Sequence, residues 1–131
     1  GSSQTGMLRA EETRYDFGKI SMARGKVSHV FTVQNTGSGP VTLERLSTSC
    51  MCTSALLQSG GRTWGPFGMV GHGFIPRIDR ILEPNGMATV EVTFDPAAHG
   101  PAGVGRIERV VSLENNAGET LELNIAAFVT P

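Results

Sequence analysis

Leu121-Glu122-Leu123-Asn124-Ile125-Ala126-Ala127-Phe128-Val129 is the stretch whose reading decides the fold. Leu121, Leu123, Ile125, Ala127 and Val129 occupy alternate positions. Successive side chains of a strand point to opposite faces, so this segment reads as a strand with one buried face. The same period of two recurs upstream, with Val90, Val92 and Phe94 on one face of residues 87–95. Val27, His29, Phe31 and Val33 share a face further back, and residues 15–20 alternate aromatic and polar before a turn signal at Arg24-Gly25. Val41-Thr42-Leu43 resumes extended chain towards Cys50. Turn chemistry separates these runs: Asn35-Thr36-Gly37-Ser38-Gly39-Pro40 is a loop, and Glu114-Asn115-Asn116-Ala117-Gly118 joins residues 106–113 to the last strand as a hairpin. No stretch of helical length carries an apolar stripe of period 3.6. About seven strands result, the number of an immunoglobulin-like β-sandwich, so the expected fold class is all-β.

A chain of 131 residues suits one domain. Its expected extent is residues 14–131. Gly1-Ser2-Ser3-Gln4-Thr5-Gly6 reads as a flexible leader or cloning scar, so residues 1–13 are set apart. Such a start is also what remains when a signal or lipid anchor is cut away, so it leaves export open. The chain is 39% hydrophobic and 18% charged, a balance that sets it apart from disordered sequences. No apolar run approaches the ~18 residues of a membrane span, so contact with a membrane would come only through a removed anchor. The net charge is −1 and the basic residues are scattered, which argues against a nucleic-acid surface.

Two stretches break the strand pattern. Residues 59–76 hold Gly60, Gly61, Gly65, Gly68, Gly71 and Gly73, together with Trp64, Phe67 and Phe74. They read as one long glycine-rich loop, and long loops in compact domains are usually functional. Residues 95–105 form a second glycine-rich turn, containing His99.

Several elements resemble a family of bacterial exported domains related to the Hydin-like (ASH) immunoglobulin-like domains. They are Asp16-Phe17-Gly18, Phe31-Thr32-Val33-Gln34-Asn35-Thr36-Gly37, Ser49-Cys50-Met51-Cys52-Thr53, and Pro84-Asn85-Gly86 at the position of a Pro-Gly turn. The resemblance covers residues 15–129, and its most specific element is the cysteine pair. It implies an exported sandwich and no settled activity. Met51 departs from the glycine usual between the cysteines. The loop at residues 59–76 is longer than in a minimal member and carries Met69 and His72.

Cys50 and Cys52 are one residue apart, so a disulfide between them closes only a tiny ring and staples no long loop. They read as unpaired thiols, a reactive pair, or metal ligands. In extended chain, positions i and i+2 share a face, so both sulfurs can lean towards one point. The loops of a sandwich cluster at its two ends, so the chain after the cysteines and the turn after Phe94 can meet. Thiolate and thioether suit Cu(I), and imidazole suits copper and zinc. Cys50, Cys52, Met69, His72 and His99 therefore form a copper palette, with zinc less favoured because it seldom takes methionine. Trp64 and Phe67 are expected to cover the site and exclude water. Met51, pointing away from its neighbours, is expected to fill core, and His29 is expected at the rim or in the core.

The resulting expectation is a copper-binding protein of the periplasm or cell surface. It would hold Cu(I) or Cu(II) for electron transfer, storage or delivery, with a protein donor or acceptor of copper or electrons as partner. The alternatives are a metal-free immunoglobulin-like interaction module and a thiol redox protein. No phosphate-binding run, nucleophile elbow or paired carboxylates mark the chain as an enzyme.

Overall fold

The computed structural model describes residues 5–69 and 75–131. The strands are β1 (Leu8–Ala10), β2 (Arg14–Ser21), β3 (Val27–Asn35), β4 (Val41–Thr48) and β5 (Thr53–Ser59). They continue with β6 (Arg62–Phe67), β7 (Arg80–Leu82), β8 (Met87–Phe94), β9 (Gly105–Asn115) and β10 (Leu121–Thr130). They form two five-stranded sheets, in the orders β1-β3-β8-β5-β6 and β2-β10-β9-β4-β7. The two sheets enclose a common core, as an immunoglobulin-like sandwich does.

The alternating faces read from the sequence supply that core. Phe31 and Val33 of β3, Val90 and Val92 of β8, and Leu123 and Ile125 of β10 are all fully buried. Antiparallel register sets Phe31 opposite Val90 and His29 opposite Val92. Each large apolar side chain withdrawn in this way contributes about 1.5–3 kcal/mol relative to exposure. His29 sits at the rim of this face. Its ring stacks on Tyr15, with centroids 3.6 Å apart, meets Phe31 edge-on and pairs with Glu12.

The described residues hold ten strands against the about seven expected, because the edge strands β1 and β7 are too short to show a period and the glycine and proline of β6 obscure it. β1 lies inside the presumed leader, and it pairs antiparallel with β3, Leu8 opposite Asn35 and Ala10 opposite Val33. The Thr5 carbonyl also accepts the Ser38 and Gly39 N–H groups at 3.1 and 3.3 Å. Residues 5–13 thus belong to the domain, and the boundary expected at residue 14 is corrected. Leu8 and Ala10 alternate towards the core, but a run of three residues is too short to show a period.

The glycine-rich loop expected over residues 59–76 is likewise corrected over its first half. Ser59 pairs with Arg62 and Leu57 with Trp64, closing a β5–β6 hairpin on Gly60-Gly61. Both glycines have positive φ, 58° and 78°, which is the backbone a two-residue hairpin turn needs.

The family-like motifs mostly serve the fold. Asn35 is fully buried, and its side-chain oxygen accepts the Met7 and Gly37 N–H groups. Its side-chain nitrogen donates to the Gly39 and Leu82 carbonyls at 2.8 and 2.9 Å. One side chain thus ties β1, its own loop and β7 together. The Asp16 carboxylate accepts the Gly18 N–H at 2.8 Å, turning β2 beside β10. Pro84-Asn85-Gly86 is the tight turn into β8, where the Gly86 N–H donates to the Glu83 carbonyl at 2.7 Å.

Candidate functional site

The cysteines occupy the corner where the chain leaves one sheet at the end of β4 and enters the other at the start of β5. They lie in a turn rather than in extended chain: the Thr53 N–H donates to the Cys50 carbonyl at 3.1 Å. Convergence of the sulfurs therefore comes from the turn and not from strand alternation. Met51, at the outer position of that turn, is 62% exposed, so its expected place in the core is corrected.

Neighbouring strands hold the corner firmly. The Ser49 N–H donates to the Val110 carbonyl and the Val110 N–H returns to Ser49 Oγ, both at 2.9 Å. The buried Thr48 hydroxyl lies 3.0 Å from the Cys50 carbonyl oxygen and 2.9 Å from that of Thr53. On the other sheet the Asp95 N–H donates to the Cys52 carbonyl at 2.8 Å. The Asp95 carboxylate accepts the Ala97 N–H at 3.0 Å and starts the turn that carries His99. Asp95 thus couples the β8–β9 loop to the cysteine corner.

His99 closes the site. Its Nε2 lies 3.3 Å from Cys50 Sγ. One ligand atom each from Cys50, Cys52 and His99 falls within 4.8 Å of the others. Both cysteines are buried and the histidine is exposed. The two sulfurs are joined to each other as a disulfide. Cys50 Sγ accepts the Cys52 N–H at 3.2 Å, and Cys52 Sγ lies 3.4 Å from Thr53 Oγ1.

The sequence reading missed one member of the cluster. Arg109, on β9, donates from Nε to Cys52 Sγ at 3.4 Å. Its Nη1 donates to the Glu108 carbonyl at 2.8 Å. The neighbouring Glu108 carboxylate pairs instead with Arg14 and Arg106. Among the described residues, Arg109 has no carboxylate within ion-pair distance. No local pattern marks an isolated arginine in a strand as a sulfur partner, because the contact depends on register between distant strands.

The remaining expected site residues are placed differently. Met69 bridges Thr48 in parallel register, so its backbone runs beside the strand end leading into the corner. His72 lies outside the described residues, as does Phe74. Trp64 stands opposite Leu57 on β6 and meets the guanidinium groups of Arg62 and Arg80, 5.0 and 5.8 Å from its ring centroid. Leu57 is five positions beyond Cys52 along a strand, roughly 16 Å at ~3.3 Å per residue. The structure thus brings Trp64 to two arginines rather than to the sulfurs. Phe67 is buried in the core opposite Ala55.

The architecture defines the class as an immunoglobulin-like β-sandwich. Residues 8–61 match a family described as a protein of unknown function, DUF1573. No curated protein sequence matches the chain. Among solved structures, a protein of unknown function from Porphyromonas gingivalis is 19% identical with a TM-score of 0.69, over 95% of this chain and 47% of that one. The chain thus spans about half the length of that relative. The ASH/PapD-like domain 7 of human CEP192 is 14% identical with a TM-score of 0.55, over 94% of this chain and 84% of that one. The periplasmic chaperone SfaE is 9% identical with a TM-score of 0.50, over 95% of this chain and 59% of that one. At these identities the likeness is one of fold.

Proposed function

We propose that this is a copper-binding protein of the cell envelope, taking Cu(I) on Cys50, Cys52 and His99 when the cysteines are reduced. The observation that carries the reading is the grouping of three soft ligand atoms within 4.8 Å. Two thiolates and an imidazole suit Cu(I), whereas a structural zinc site almost always takes four ligands. Two thiolates and one Cu(I) sum to a negative charge, and the Arg109 guanidinium beside Cys52 offsets it. Met69, beside Thr48, is the further donor this reading offers. The exposed histidine is the route by which copper or electrons pass to a protein partner. The fold likeness to a periplasmic chaperone supports an extracytoplasmic place, as does a disulfide, which persists in oxidising compartments.

The test is to reduce the protein, remove the reductant under anaerobic conditions and titrate Cu(I) against a coloured competing chelator. One copper per chain is expected, lost when Cys50→Ser and Cys52→Ser are combined. Wild-type protein that takes up no stoichiometric copper would sink the proposal.

A second reading is favoured by the bonded sulfurs themselves: a thiol–disulfide couple cycling between the Cys50–Cys52 disulfide and the dithiol. Thiol counting before and after a mild dithiol reductant tests it. A pair that releases no thiols removes this reading and leaves the metal site to be judged on its own titration.

A further inference from the structure

The second reading treats the two sulfurs as equivalent, but their surroundings differ. Cys50 is 8% exposed and Cys52 is 3% exposed. Cys50 Sγ faces the exposed His99, whose loop stands at the surface. Cys52 Sγ faces the Arg109 Nε–H and the Thr53 hydroxyl. A guanidinium keeps its positive charge throughout the physiological range. No described carboxylate pairs with Arg109, so its charge is available to the sulfur.

Strand register holds this arginine in place. Arg109 pairs with Ile125 in β10, and the next residue, Val110, makes the reciprocal hydrogen bonds with Ser49. Ser49 directly precedes Cys50, so the guanidinium and the disulfide are anchored to the same segment of β9.

We infer that the Cys50–Cys52 disulfide is polarised for thiol exchange, with Cys50 the sulfur attacked and Cys52 the leaving thiolate received by Arg109. This rests on the thiol–disulfide reading above. An incoming thiolate forms a bond to Cys50 Sγ, the Cys50–Cys52 bond breaks, and its electron pair goes to Cys52 Sγ. The product is a mixed disulfide on Cys50 and a thiolate on Cys52. A second substrate thiolate then attacks the substrate sulfur of the mixed disulfide and releases Cys50 as a thiolate. Overall two substrate thiolates become one disulfide, and two electrons pass to the cysteine pair, which ends as two thiolates. A leaving thiolate departs faster the better its charge is stabilised, which is what a fixed guanidinium provides. Arg109 is thereby a catalytic residue of the exchange, and the substrate class is a thiol, free or carried on a peptide.

The experiment uses the oxidised full chain with a metal chelator present, so that copper plays no part. It is mixed with glutathione in one arm and with a single-cysteine peptide in the other. Samples are quenched with iodoacetamide at early times and mapped by mass spectrometry. The expected adduct is on Cys50 with the alkyl group on Cys52. Arg109→Gln is expected to slow loss of the disulfide by about tenfold to a hundredfold, the range of a charge-assisted hydrogen bond. Arg109→Lys, which keeps the charge, is expected to recover most of the rate. Thermal unfolding of both variants shows whether the sandwich is intact. Adduct on Cys52, adduct shared equally, or a folded Arg109→Gln variant reacting at the wild-type rate would overturn the inference. Failure of wild-type protein to react with either thiol would overturn the underlying thiol–disulfide reading instead. A faster arm with peptide than with glutathione identifies the substrate as a protein thiol, and the reverse identifies a small one.

Discussion

His99 Nε2 lies 3.3 Å from Cys50 Sγ, although 49 positions separate the two along the chain. The approach is produced by Asp95, whose N–H holds the Cys52 carbonyl while its carboxylate shapes the turn leading to His99. The meeting of two loops thus depends on one residue at the end of β8, and the chemistry of the site follows from it.

Replacing His99 should separate metal binding from stability. The side chain is exposed, so His99→Ala should leave the urea midpoint close to wild type. In the copper reading it removes one of three ligands. Cu(I) affinity should fall by about tenfold or more, equivalent to about 1.4 kcal/mol or more. Competition with a coloured Cu(I) chelator measures the first quantity and urea unfolding the second. Unchanged affinity would exclude His99 as a ligand.

The corner should depend on a single hydroxyl. Thr48 is 4% exposed, and its Oγ1 reaches the carbonyl oxygens of both Cys50 and Thr53. Thr48→Val keeps the shape and removes the hydroxyl donor, while the Cys50 carbonyl keeps the Thr53 N–H, so the expected cost is that of a lost hydrogen bond, about 0.5–1.5 kcal/mol. A lower urea midpoint is expected, with a smaller effect from Thr53→Ser. A variant as stable as wild type would show that the corner is held by its backbone bonds alone.

Asn35 should be among the costliest polar positions to lose. Its amide serves backbone groups of Met7, Gly37, Gly39 and Leu82 with no exposure to solvent. Asn35→Leu fills the volume but strands those groups, and a loss of about 2–4 kcal/mol is expected. Hydrogen exchange should show β1 opening first, because its link to the Asn35 side chain is gone. Preserved protection of Leu8–Ala10 would place the anchor of β1 elsewhere.

Acid should weaken the fold through exposed carboxylates on the second sheet. The Asp16 carboxyl is held below its ordinary range chiefly by the Gly18 N–H, with Arg106 adding to the effect. Glu108 is held low chiefly by its hydrogen bond and charge interaction with Arg14, then by Arg106. A carboxyl with a lowered folded pKa binds fewer protons in the folded state than in the unfolded one. Its contribution is complete above the unfolded carboxylate range and is lost as pH falls through the lowered folded value. Stability in urea should therefore decline below about pH 4–5. Asp16→Asn with Glu108→Gln should flatten the decline slightly, since both groups are exposed and screened. An equally steep decline in the double variant would assign the acid sensitivity to other carboxyls.

Much of the sandwich was legible because burial imposes a period of two on long strands. Leu123, Ile125, Val90 and Val92 show it, and all are fully buried. Short edge strands carry too few residues to show a period, so Leu8–Ala10 read as leader. Arg62–Phe67 read as loop for another reason: its glycines and Pro66 obscured the strand. Gly60-Gly61 between two β-prone runs was nevertheless a usable hairpin signal. At the site, the types of Cys50, Cys52 and His99 were informative because few side chains offer soft donors. Arg109 was invisible because an arginine in a strand is ordinarily a solvated charge.

By itself the sequence determined the alternating core faces, the turn positions and the presence of soft donors, since each is a local property of residue type and spacing. Only the tertiary structure decided which donors meet. It brought His99 and Arg109 to opposite sulfurs of the cysteine pair, while Trp64 went to Arg62 and Arg80. The physical reason is strand register. Pairing of β9 with β4, and the tie from Asp95 to the cysteine corner, are long-range hydrogen-bond choices that no local pattern encodes.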